Sequence, residues 1–157
     1  MGDRSVTRNC GPDLARVGAG LPVAAYRDEI TTALHGGRAV IVAPPGTGKT
    51  TFVPPLVASR CSGRVIVTQP RRVAARAAAR RLATLTGTRP GEFASHTVHG
   101  ESTTTRDTKV EFVTTGVLLR RLLSDPDLTG VDAVVLDEVH ERHLDADLVV
   151  AMVCEVA

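Results

Sequence analysis

Apolar positions along the chain follow two alternating rhythms. Short continuous runs of β-branched residues, AVIVA (39–43), RVIVT (64–68), KVEFV (109–113) and AVVLD (133–137), have the pattern of strands buried on both faces. Between them lie helical patterns at about 49–59, 71–86 and 115–124, with a last one starting near 144. Upstream, Tyr26, Ile30 and Leu34 are spaced by four and mark one face of a short helix that His35, Gly36 and Gly37 end. Residues 1–20 are rich in Gly, Arg and Asp without periodicity, which predicts a flexible lead-in and one packed domain over 21–157. Regular strand–helix alternation predicts an α/β fold, a mainly parallel sheet with right-handed crossovers.

Composition narrows the classes. At 157 residues, 43% hydrophobic and 23% charged, the chain suits one ordinary domain with a packed core. Seventeen arginines and two lysines (Lys49 and Lys109) face 17 acids, and with a formal net charge of +2 any basic site must be local. Aromatics are limited to Tyr26, Phe52, Phe93 and Phe112, which argues against a base-stacking platform. Cys10, Cys61 and Cys154 are odd in number and far apart, unlike a disulfide framework, and suit a reduced cytoplasmic compartment. With no signal-peptide core and no apolar run near ~18 residues, a soluble protein with no membrane partner is expected.

The first apolar run leads directly into APPGTGKTT (43–51) and then a helical pattern, the strand–loop–helix setting of a Walker A loop, with Ala43 at the first glycine position. Gly46 and Gly48 let the backbone approach phosphate oxygens, while successive N–H groups and the helix N-terminus form an anion nest. Lys49 has the reach to meet β- and γ-phosphates, and the Thr50 hydroxyl is a Mg²⁺ ligand candidate.

The last strand-like run ends in LDEVHERHLDADL (136–148). Two carboxylates at a buried strand end are costly without a cation. Asp137 is therefore the candidate metal carboxylate, acting through water, and Glu138 the group that accepts a proton from the attacking water or orients it. Asp145 and Asp147 suit helix capping. His140 and His143 are spaced by three, but HExxH is absent and no cysteine is near, so His140 is better read as a polar link from this site to another part of the molecule. Arg71, Arg72, Arg76, Arg80 and Arg81 cluster after TQP, with Arg72, Arg76 and Arg80 on one helical face, a stripe suited to phosphates or simply to solvent.

Taken together and in order, APPGTGKTT, TQPRRVAAR, TTGVLLRRL and DEVHER resemble motifs I, Ia, Ib and II of superfamily 2 helicases of the DEAH/RHA group, over about 21–156. The resemblance implies a RecA-like P-loop NTPase fold, three-layer α/β/α, the first of two such domains, using ATP and Mg²⁺ and moving on single-stranded RNA or DNA. It assigns catalysis to Lys49, Asp137, Glu138 and His140. It assigns ATP binding to Pro45, Gly46, Thr47, Gly48, Lys49, Thr50 and Thr51, with Arg81 stacking on adenine. Mg²⁺ falls to Thr50 and Asp137. Nucleic-acid backbone contacts fall to Gln69, Pro70, Arg71 and Arg72 and to Thr114, Thr115 and Gly116, which implies little sequence specificity. Val139 replaces the family's alanine, at a position expected to contribute packing, and His99 stands where related enzymes have an arginine near RNA.

The family's motif III strand, a Ser-Ala-Thr segment between the phosphate-loop strand and the acidic strand, has no counterpart in the sequence. The domain is thus expected to be incomplete at its C-terminus, with those two strands pairing directly or leaving an open slot. A second RecA-like domain is needed for activity in the family, so the chain alone is not expected to unwind a duplex. The competing reading is a non-catalytic nucleotide- or RNA-binding fragment. A small-molecule kinase would leave TQPRR and TTG without a role.

Overall fold

The computed structural model describes residues 11–141 and 143–156, so Cys10 and the first half of the expected lead-in lie outside the described residues. The second half of that lead-in is a correction. Leu14–Gly18 form a helix (α1) capped by the Asp13 carboxylate, which accepts from the Ala15 and Arg16 N–H groups at 3.1 and 3.2 Å. Its Leu14 and Val17 are buried against the core, so packing starts seven residues before the expected boundary at residue 21.

A 3₁₀ turn, Pro22–Tyr26, leads into α2 (Arg27–Leu34). Then follow α3 (Lys49–Ala58), β1 (Arg64–Gln69), α4 (Arg72–Thr86), β2 (Ala94–Val98), β3 (Glu101–Ser102), β4 (Val110–Thr114), α5 (Thr115–Ser124), β5 (Val131–Leu136) and α6 (Leu144–Val156). The sheet order is β3-β2-β4-β1-β5, parallel except for the β2–β3 hairpin.

Side-chain alternation along the strands divides the core in two. Val65, Val67, Val110 and Phe112 face α1, α3 and α4, where Phe52, Leu56, Ala75, Ala79 and Leu82 are buried. Ile66 and Val113 face the other way, onto Leu118 and Leu122 of α5 and Val149 of α6. The result is three layers, α/β/α. Alanines on the inner face of α4 let that helix lie close to β2 and β4, and Phe52, 1% exposed, ties α3 to the sheet. Truncating such a side chain costs about 3–5 kcal/mol.

The AVIVA run is the second correction. Residues 38–43 form no strand, and Val40 and Val42 are each 91% exposed. Ile41 packs against the core, while Arg38 Nη2 donates to the Cys154 carbonyl of α6 at 3.2 Å. A strand persists where its N–H and C=O groups find a ladder. Here β5 is the sheet edge, bonded to β1 on one side, and the run does not reach its free side. Of the two outcomes weighed above, the open slot obtains, and β5 is correspondingly half-buried where β1 is buried. Among the described residues, no helix is long and apolar enough to cross a membrane.

Candidate nucleotide and nucleic-acid site

The loop over 43–51 is held by short local contacts. Thr47 Oγ1 donates to the Pro44 carbonyl at 2.9 Å, and the Thr47 carbonyl accepts from Val23 N–H at 3.1 Å. Gly48 precedes α3 with φ 91°, and a Cβ there would sit 3.0 Å from the Leu21 side chain. Backbone angle and space both demand glycine. Lys49 Nζ donates to the Ala43 and Pro44 carbonyls at 2.5 and 3.0 Å, so its ammonium lies folded across the loop.

The acidic residues meet this loop at one point. The Thr50 hydroxyl donates to Asp137 Oδ2 at 2.5 Å, although the two residues are 87 positions apart. Asp137 follows the last residue of β5, and Thr50 is the second residue of α3. Gln69 Nε2 donates to the same carboxylate oxygen at 2.7 Å, Asp137 N–H donates to Thr68 Oγ1 at 3.2 Å, and Glu138 N–H donates to Asp137 Oδ1 at 3.0 Å. Glu138 has a left-handed backbone, φ 53°. For a non-glycine residue that conformation costs of order 1–3 kcal/mol and is commonest at functional sites. His140 Nε2 lies 3.3 Å from Glu138 Oε2, with the imidazole largely exposed.

Strand ends bring the other expected residues to the same side. Gln69 ends β1 and is paired in register with Thr114, which ends β4. Thr114, Thr115 and Gly116 line a cleft of about 190 Å³ with Pro70, Asp137 and Glu138. Arg71 is exposed and pairs with Glu141 at 3.6 Å, while Arg72 Nη2 donates to the His99 carbonyl at 2.5 Å. Arg81 stands exposed on α4. Gln69 is 4% exposed and turns its side-chain amide inward to the acidic carboxylate. Val139, 57% exposed, lines the cleft and packs little.

Two polar centres have no counterpart in the sequence reading. Glu111, inside the apolar KVEFV run, is fully buried and is gripped by Arg121 through two bonds (2.8 and 2.5 Å), by Arg64 (3.2 Å), and by the hydroxyls of Thr97 (2.6 Å) and Thr104 (3.1 Å). Burial alone would raise its carboxyl, but the Arg121 and Thr97 hydrogen bonds outweigh that and hold it at about 2. An acid in the middle of an apolar run was the available signal. The second centre pins the β2–β3 hairpin to α4. Glu101 accepts from Arg76 Nε at 3.1 Å and from His96 Nε2 at 2.7 Å, and Arg76 first, then His96, draws its carboxyl down to about 2. Arg76 therefore serves the hairpin, which neither reading of the arginine stripe anticipates. Beyond it, Arg120 reaches His99 Nδ1 at 3.4 Å.

Residues 26–147 match the family model described as DEAD/DEAH box helicase. The chain is 42% identical over 139 residues to the ATP-dependent RNA helicase HrpB of Escherichia coli, covering 87% of this chain and 17% of that protein. It is 36% identical over 140 residues to the probable ATP-dependent RNA helicase DHX34 of Homo sapiens, covering 88% and 12%. The crystal structure of Escherichia coli DEAH/RHA helicase HrpB superposes with a TM-score of 0.82 at 41% identity, covering 87% of this chain and 18% of that one. The chain thus spans less than a fifth of the length of the curated relatives it matches. Its three layers and mainly parallel sheet have the RecA-like architecture of that helicase. On the extent of the family match and the identity to these helicases, the chain belongs to the DEAD/DEAH box helicase family.

Proposed function

We propose that this chain is the ATP-binding part of an ATP-dependent DExH-box helicase, which couples hydrolysis of Mg·ATP to movement along single-stranded RNA or DNA. The observation that supports the reading is the 2.5 Å contact between Thr50 and Asp137, which joins the glycine-rich loop and helix start to a strand-end carboxylate. Backbone N–H groups over 46–51, with Pro45, Thr47 and Thr51 shaping the loop, receive the phosphates, and Lys49 swings from its loop carbonyls to the β- and γ-oxygens. Arg81 covers the adenine.

The donor set suits Mg²⁺. Hydroxyl and carboxylate oxygens are the hard ligands it prefers, and here one of each is already within bonding distance of the other. Thr50 would hold the ion directly and Asp137 through water. Bound Mg²⁺ supplies charge neutralisation across the β- and γ-phosphates. Glu138 accepts a proton from the water aligned behind the γ-phosphate, and His140, beside it, links this event to the rest of the molecule. Pro70, Arg71, Arg72, Thr114, Thr115 and Gly116 meet the sugar–phosphate backbone of the strand. A second RecA-like domain completes the motor, because unwinding requires two bodies that close on ATP and shift along the strand. A cytoplasmic setting suits the three widely spaced cysteines.

Mg·ATP binding by calorimetry, run beside RNA-stimulated phosphate release, tests this reading. Glu138→Gln is expected to retain Mg·ATP binding and lower turnover by about 100-fold or more. Binding with no turnover, indifferent to Glu138→Gln, would instead favour a non-catalytic nucleotide-binding module. ATP-driven strand separation by these 157 residues alone would overturn the requirement for a second domain.

A further inference from the structure

We infer that Gln69 is a positioning residue that couples occupancy of the nucleic-acid surface to the carboxylate of the nucleotide site. The inference rests on the function proposed above and assigns Gln69 a role different from strand contact.

Gln69 occupies a position where the two surfaces join. Its side chain is 4% exposed, and its amide donates to Asp137 Oδ2 at 2.7 Å, the same oxygen that accepts the Thr50 hydroxyl at 2.5 Å. On the other side its backbone is paired with Thr114, the first of the residues proposed to hold the strand at β4. It is followed directly by Pro70, Arg71 and Arg72. Arg71 pairs with Glu141 of the acidic loop at 3.6 Å. One residue earlier, Thr68 Oγ1 accepts from Asp137 N–H at 3.2 Å. The end of β1 therefore grips Asp137 at both its backbone and its carboxylate.

Buried polar groups of this kind have few alternative partners, so a displacement of 69–72 by a bound strand is transmitted to Asp137 and not absorbed by solvent. A small shift in the direction of Oδ2 changes how well the Asp137 carboxylate presents itself to a Mg-bound nucleotide. By reciprocity, a nucleotide that fixes Asp137 also fixes the segment that meets the strand.

The test is a binding measurement on the full chain, using Mg·AMP-PNP and an oligouridine, each titrated with and without the other. The native chain is expected to bind each ligand about fivefold or more tightly in the presence of the other, the lower end of ordinary coupling energies. Gln69→Met, close in shape but without the donor, is expected to bring the coupling factor close to one, the factor being the ratio of each ligand's affinity with and without the other and so separate from any change in either affinity alone. Thr68→Val is a second variant in case Gln69→Met does not fold, and it is expected to lower the factor in the same direction. Coupling that survives both substitutions, or a native chain that binds both ligands without coupling, would overturn the inference while leaving the proposed function standing. A native chain that binds neither oligouridine nor oligothymidine would overturn the proposed function itself, and the inference with it.

Discussion

The Thr50 hydroxyl hydrogen-bonds Asp137 Oδ2 at 2.5 Å, so the first turn of α3 and the carboxyl end of β5 share an atom-to-atom contact although the run before the loop forms no strand beside β5. The convergence depends on α3, whose buried Phe52, Val53 and Leu56 seat the helix on the sheet by its flank. Helix packing substitutes here for strand pairing.

A first prediction follows from that contact. Thr50→Val keeps the side-chain shape and removes the hydroxyl. It is expected to weaken nucleotide binding in the presence of Mg²⁺ by roughly 10- to 100-fold, the usual cost of losing a metal ligand or its support. Binding measured in EDTA should change little. Equal losses under both conditions would mean that Thr50 acts on the phosphates or the fold and not on the metal.

Glu111 yields a prediction about stability and acid. Its carboxyl is held at about 2, below its ordinary 4.5, by Arg121 and Thr97 acting against burial. A lowered carboxyl stabilises the fold fully above about 4.5, and that contribution fades as pH falls towards 2. The native chain should therefore lose stability over this window, and Glu111→Gln should flatten that part of the profile. Glu111→Ala leaves the Arg121 guanidinium without its buried partner and is expected to cost about 3–5 kcal/mol in urea unfolding. A loss below about 1 kcal/mol would show that the pair is not buried as described.

Much of the fold is visible in the pattern of apolar positions, because most of its elements obey a single local rule. Helices expected at 115–124 and 71–86 are found at Thr115–Ser124 and Arg72–Thr86, since each carries an apolar face with a clear period. The hairpin at 94–102 escaped notice because Ser95, His96 and Thr97 are polar. Ser95 and His96 are buried and Thr97 half-buried, and the three bond to Thr104, to Glu101 and Thr103, and to Glu111, a partnership formed only in three dimensions. The site divides along the same line. Loop and acid announce themselves by residue type and spacing. The inward turn of Gln69 does not, because Asp137 lies 68 positions away in sequence.

Arg71 and Arg72 should separate in their effects on structure while agreeing in their effects on the strand. Arg71 is highly exposed and its pairing with Glu141 at 3.6 Å is a surface contact, worth little to stability. Arg71→Ala is expected to leave Tm unchanged while weakening oligouridine binding and lowering the slope of log K against log salt by about one. Arg72→Ala should lower the slope similarly and also free the hairpin tip at the His99 carbonyl, seen as faster amide exchange over 98–101. Unchanged slopes in both variants would exclude phosphate contact at this strand end.

The open slot beside β5 makes the most direct test of the architecture. If residues 39–43 formed a buried strand, as their composition suggests, polar replacements there would cost several kcal/mol. With Val40 and Val42 each 91% exposed, Val40→Thr and Val42→Thr are expected to change unfolding free energy by no more than about 0.5 kcal/mol. Amides of 39–43 should exchange freely while those of Arg64–Gln69 are protected. The same substitutions are expected to reduce self-association in sedimentation, because the unpaired edge of β5 and an adjoining apolar segment are features that promote edge-to-edge contact. Strong protection at 39–43 in the monomer would show that the run enters the sheet.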